Sequence, residues 1–251
     1  MADIIRDHVM PAAPKGMVQV HLGGGSDGAE ANELAVAAAF RHTNKVHGTP
    51  FNKIVAVGFD NSHAGNTTGS LSFSATAANP NGLPAFPWPK AQFPQLKYPL
   101  AQFEHENAEE ERRCLDNFKN IIEAQRANGG AVGAVVVEPI SSIGNQIATP
   151  NFFKGIRAVC KNEGVPFIVD ETKTGMSSTG KNWGHQWWYL GDDQAPDFVT
   201  FGGKSGLGGF YSTLAHRLED ATTFSQNLNM VSLLHYGAIW KTIKQDSTQH
   251  W

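Results

Sequence analysis

Four positions in this sequence end an apolar or alternating run with something able to do chemistry. Asp170 closes Val165-Pro166-Phe167-Ile168-Val169, Glu138 closes the apolar stretch Ala131 to Val137, and Lys204 follows Asp197-Phe198-Val199-Thr200-Phe201 between Gly202-Gly203 and Gly206. The fourth is Gly28, at the end of Gly23-Gly24-Gly25-Ser26-Asp27-Gly28. An acid directly after a buried run suits either a helix cap or a charged ligand. A lysine between glycines is either a solvated loop residue or a cleft amine whose lowered proton affinity suits it to a Schiff base. The glycine turn is either a plain turn or a phosphate cradle at the positive end of a helix; it is neither G-x-x-x-x-G-K-[ST] nor a clean G-x-G-x-x-G.

The elements that must carry these residues follow from periodicity. Met17 to Leu22 alternates and reads as a strand, followed by the glycine turn and an Ala-rich helix from Ala29 to Phe40. Lys53 to Gly58 reads as a second strand. A long irregular insertion, residues 60–103, follows, rich first in Gly, Ser, Thr and Asn and then in proline. Glu104 to Ala127 has a helical period, and a further helix is predicted from about Phe152 to Asn162. The runs Ala131–Val137, Val165–Asp170 and Asp197–Phe201 read as buried parallel strands. This alternation predicts an α/β fold with a mostly parallel sheet flanked by helices, in which ligands bind beyond the carboxyl ends of the strands. Residues 1–16 are expected as an N-terminal segment, 17–244 as one large domain and 245–251 as a tail.

Composition narrows the function. The chain has 251 residues, and charged residues make up 17% of it, below the usual quarter, which predicts a soluble globular protein with a sparsely charged surface. Twenty basic against 23 acidic residues, with a net charge of −3 and no basic cluster, leave no electrostatic footprint for nucleic acid or anionic lipid. No run approaches the 18 apolar residues or so of a membrane span, and Met1 to Arg6 lacks the layout of a secretory signal. Cys114 and Cys160 are too few for a disulfide framework or a zinc site, in keeping with a reducing, intracellular compartment. His21, His42, His47, His185 and His235 have no metal-ligand spacing, so no metal site is expected. Trp183, Trp187, Trp188 and Tyr189 are expected to serve packing or an interface.

A phosphate turn, an acid at a strand end and a glycine-flanked lysine together match the needs of pyridoxal 5'-phosphate. The sequence also resembles the class III, fold-type I aminotransferases, and among them the 4-aminobutyrate branch. Gly28-Ala29-Glu30-Ala31-Asn32-Glu33 is similar to the family's G-S-E-A-N-E, Val136-Val137-Glu138-Pro139-Ile140 to its E-P-I, and Asp170-Glu171-Thr172-Lys173-Thr174-Gly175 to its D-E-V-Q-T-G. Pro196 to Lys204 is similar to P-D-x-x-T-F-x-K-K, while Phe93 to Leu100 and Glu110 to Leu115 resemble the 4-aminobutyrate branch.

The resemblance implies a pyridoxal-phosphate-dependent transferase large domain. It implies that Lys204 binds the cofactor aldehyde, Asp170 pairs with the pyridine nitrogen, and Gly28 and Ala29 stand at the phosphate. It implies His63 at the cofactor ring and Lys173 where a glutamine meets the phenol oxygen. Amino-acid and 2-oxo-acid substrates, a homodimer and, from eukaryotic members, the mitochondrial matrix follow as expectations. No iron–sulfur cluster is expected, since the cysteines that hold one in some relatives have no counterpart here.

Four residues depart from the pattern. Asn66 stands where an arginine grips a substrate carboxylate, Ile143 where a glutamate follows E-P-I, Gln226 where a threonine reaches the neighbouring subunit's phosphate, and Lys173 replaces the glutamine. Family members are usually longer at both ends. These departures support a second reading, a non-catalytic aminotransferase-like subunit with a structural or assembly role, within a larger complex.

Overall fold

The computed structural model describes residues 3, 5–23, 28–204, 206–219 and 230–247. Its strands and α-helices are, in chain order, β1 (Met17–Leu22), α1 (Gly28–His47), β2 (Ile54–Phe59), α2 (Thr68–Phe73), β3 (Lys90–Ala91), α3 (Glu104–Ala127), β4 (Ala131–Val137), α4 (Pro150–Glu163), β5 (Phe167–Asp170), β6 (Phe198–Phe201), β7 (Gly209–Thr213) and α5 (Met230–Ser247). The strands form one sheet in the order β1-β7-β6-β5-β4-β2-β3. Neighbours from β3 to β6 pair in parallel, and β7 is antiparallel to both β6 and β1, so β7 alone runs against the rest. The expected α/β class with a mostly parallel sheet is the architecture found.

Strand alternation divides the core into two unlike layers. On β4, Val135 and Val137 join a cluster rich in large aromatics, including Phe59, Phe93, Phe118, Phe152 and Phe153, with α3 and α4 above it. Ala134 and Val136 turn to the other face, where Ala35, Ala38 and Ala39 of α1 lie against Phe73, Phe198 and Phe210. Small residues bring that second layer close. A side chain on Gly58 would collide with the Phe73 carbonyl of α2, and one on Gly133 would meet the Ile54 side chain of β2 at 2.2 Å. At the amino ends of β5 and β6, Asp197 accepts a two-pronged ion pair from Arg157 of α4 at 2.8 and 3.1 Å and the Phe167 amide at 2.8 Å, which fixes where both strands begin.

Some elements differ from the sequence reading. Helix α1 continues to His47, seven residues past Phe40, and its last buried contact is the polar Thr43, whose hydroxyl reaches the Gly133 carbonyl. The irregular insertion contains α2, started by a Thr67–Ser70 capping box, and the edge strand β3. Residues 5–12 are helical and pack on the sheet: Val9 and Ala12 are buried, and their carbonyls accept from the Tyr211 hydroxyl and the Trp183 indole. No helix among the described residues is long and apolar enough to cross a membrane.

Candidate active site

Because β2, β4, β5 and β6 are parallel, the segments leaving them emerge on one side of the sheet. There the structure gathers His63 and Asn66 beyond β2, Glu138 beyond β4, Asp170 and Lys173 at and beyond β5, and Lys204 beyond β6. The N-terminus of α1 reaches the same place. Gly28 lies against Thr172 so closely that a Cβ there would stand 2.4 Å from the threonine methyl, and Ala29 behind it is buried against Gly65. Residues 24–27 of the glycine turn, and Gln226, lie outside the described residues.

Asp170 is the best-held group. It is 2% exposed and accepts from the Thr172 amide at 2.9 Å, the Thr172 hydroxyl at 2.6 Å and Asn32 Nδ2 at 2.7 Å. Burial, helped by the nearby Glu138 charge, pushes its carboxyl up to about 6 against the Thr172 hydrogen bonds and the Lys173 charge. Such a carboxylate is poised for a cation placed over it.

Lys204 Nζ donates to the Lys173 carbonyl at 2.6 Å and touches the Ser178 hydroxyl. Burial lowers its proton affinity below that of an ordinary lysine, partly opposed by Glu171. Lys173 Nζ donates to Glu138 Oε1 at 3.2 Å, to the His63 carbonyl at 2.9 Å and to Ser142 Oγ. Glu138, 5% exposed, also accepts the amides of His63 at 3.2 Å and Ser142 at 3.0 Å, as well as the Ser142 hydroxyl. The His63 ring meets the Asn66 amide oxygen at 3.1 Å. Ile143 gives its backbone amide to the Asn61 carbonyl.

Two polar groups here were not singled out from sequence. Asn32, fully buried in α1, donates to Asp170 and to the Ala64 carbonyl at 2.9 Å and accepts from the Thr200 hydroxyl at 2.7 Å, so it joins α1, β5 and β6. Its signal was an amide on the alanine face of an amphipathic helix. Glu171 points away from Asp170 and accepts the His185 amide and ring at 2.7 Å, the Gly184 amide at 2.9 Å and the Thr174 hydroxyl at 2.6 Å. Burial would raise its carboxyl, but the His185 and Thr174 contacts overcome this and hold it below the usual range. The pair anchors the loop after β5. Of the nearby aromatics Trp183 and Trp188 are buried, whereas Trp187 and Tyr189 are exposed with Lys181 Nζ over both rings at 4.1 and 4.3 Å. Among the described residues no group of His, Cys, Asp or Glu is placed to hold a metal ion.

Residues 19–229 match the family model described as aminotransferase class-III. The chain belongs to that family. It is 38% identical over 238 residues to a 4-aminobutyrate aminotransferase of Dictyostelium discoideum, covering 87% of this chain and 47% of that protein. It is 39% identical over 170 residues to the human mitochondrial 4-aminobutyrate aminotransferase, covering 67% of this chain and 33% of that protein. The chain thus spans less than half the length of these relatives. A lysine aminotransferase from M. tuberculosis shares the fold with a TM-score of 0.78 at 22% identity, over 99% of this chain and 57% of that one. Class-III aminotransferases depend on pyridoxal 5'-phosphate, and the residues here suit that group. A buried acid is available for a protonated ring nitrogen, an amine of lowered proton affinity for an aldehyde, and a helix N-terminus beginning at a glycine for a phosphate.

Proposed function

We propose that this chain is the cofactor-binding large domain of an aminotransferase that moves an amino group from an omega-amino acid such as 4-aminobutyrate to a 2-oxo acid. The observation that carries this is the buried, raised Asp170 at the end of β5 with the Lys204 segment leaving the adjacent strand β6. The names of the relatives supply the substrate class, and no relative reported above is described as a non-catalytic subunit. A homodimer, and a mitochondrial location of the kind named for the human relative, belong to the same proposal.

Bound pyridoxal phosphate supplies an electron sink for breaking a bond at the amine-bearing carbon. Asp170 holds the proton on the ring nitrogen, and Asn32 and Thr172 hold Asp170 in place. Lys204, whose Nζ rests on the Lys173 carbonyl, would hold the cofactor through its aldehyde, and its amine of lowered proton affinity would serve as the base that moves the substrate's proton. The N-terminus of α1 at Gly28 and Ala29 binds the phosphate. His63 would stack on the cofactor ring, and Asn66 would offer a substrate carboxylate an uncharged hydrogen-bonding group.

The test is chemical. Protein incubated with pyridoxal phosphate should develop a visible absorption band that borohydride fixes onto the peptide carrying Lys204. Label on Lys173, or none, defeats the assignment.

A further inference from the structure

We propose that Lys173 is a positioning residue paired with Glu138: at Asp170 its ammonium offsets the charge of that buried neighbouring carboxylate, leaving Asp170 ionised for a cationic ring nitrogen. This rests on the cofactor reading above for its purpose, but not for its geometry. The parallel register sets Val137 against Val169, so Glu138 and Asp170 leave adjacent strands side by side. Two acids so placed repel, and burial weakens the screening between them. Glu138 receives three neutral hydrogen bonds, from His63 and Ser142, and its ion pair is with Lys173. The lysine in turn has three ammonium protons and three acceptors: Glu138, the His63 carbonyl and Ser142. Its hydrogen-bonding capacity is used within the fold, which argues against a role as a free grip for substrate.

The other groups around Asp170 are accounted for. Thr172 and Asn32 donate to it, and Thr200 of β6 reaches it through Asn32. Glu171 is turned onto His185, Glu33 of α1 is bonded to Thr67 and Ser70, and Lys204 is bonded to the Lys173 carbonyl. His63 directs its ring to Asn66, and Glu30 in the first turn of α1 lies near Gly23. Burial raises the proton affinity of Asp170 most; among the charged neighbours, Glu138 raises it further and Lys173 lowers it.

The experiment is a carbon-13 NMR titration of protein labelled at the aspartate carboxyl carbons, with the Asp170 signal assigned by D170N. K173M should raise the Asp170 midpoint by about one pH unit, a tenfold gain in proton affinity. E138Q should lower it, K173M/E138Q should fall near the wild type, and K173R should leave it unchanged. An unmoved midpoint in K173M, or equal shifts in K173M and K173R, overturns the proposal. If K173M does not fold, the double variant still decides: it must titrate above E138Q, and a midpoint equal to that of E138Q overturns the proposal. In parallel, the pH at which pyridoxal phosphate affinity is halved should move up in K173M with the midpoint. A wild-type protein that takes up no cofactor at any pH defeats the functional reading, while the NMR titration still judges the coupling.

Discussion

Asp170 makes the ligand-free and ligand-bound protein answer pH in opposite ways. Its carboxyl titrates near 6 in the fold against 3.8 for a free aspartate. The stabilisation it gives the ligand-free protein is therefore complete below about pH 4 and is lost as pH rises through 6, worth about 3 kcal/mol. A protonated ring nitrogen needs the ionised acid, so cofactor affinity should fall as pH drops through 6. D170N should bind at least about 100-fold more weakly at pH 8 and show a flatter profile, as followed by fluorescence titration; an unchanged affinity would remove Asp170 from the site. The acid was legible in sequence because it ends a buried strand, and Lys204 because it stands between glycines just past one, where solvent-averse residues have stopped abruptly. Asn32 and Glu171 were not, since their partners, Thr200 and His185, come from segments whose approach only the folded sheet determines.

Helix α1 brings its N-terminus to the site only because Gly28 lacks a side chain. Gly28→Val would place carbon atoms inside the Thr172 side chain and push apart the helix start and the loop that holds Asp170. The expected outcome is a loss of cofactor affinity of tenfold or more with the far-ultraviolet circular dichroism retained; affinity equal to the wild type would show that the helix start is not part of the site. The strands β2, β4, β5 and β6 and the helix α3 were legible from periodicity. The last two turns of α1 were not, because beyond Phe40 its inward positions turn polar, with Thr43 buried. Strand β7 was missed because Gly209-Phe210-Tyr211-Ser212-Thr213 is buried along most of its length and shows no alternation, and α2 because its capping box uses a serine where the usual sign is an acid or amide.

Across the whole molecule the sheet separates a thick aromatic layer from a thin alanine one, and the two should respond to opposite changes. Phe152, 1% exposed and edge-on to Phe59, Phe93 and Phe153, should cost about 3–5 kcal/mol when cut to alanine. Ala35, fully buried on the sheet-facing side of α1, should cost about 1–3 kcal/mol when enlarged to leucine. Urea denaturation measures both, and a tolerant Ala35 site would mean that the alanine layer is looser than its spacing implies. The mismatch between sequence order and sheet order has a further consequence during synthesis. Val20 of β1 pairs with Tyr211 of β7, and among the described residues β7 is the only strand that pairs with β1. At about 5–20 residues per second, a ribosome would need roughly 10–40 s to deliver the partner after β1 emerges. For that interval β1 has no place in the sheet, and the strands from β2 to β6 can assemble without it. Strand β1, translated before β2 to β7, is thus among the last of them to be seated, and in the cell a nascent-chain chaperone would find its exposed backbone edge there.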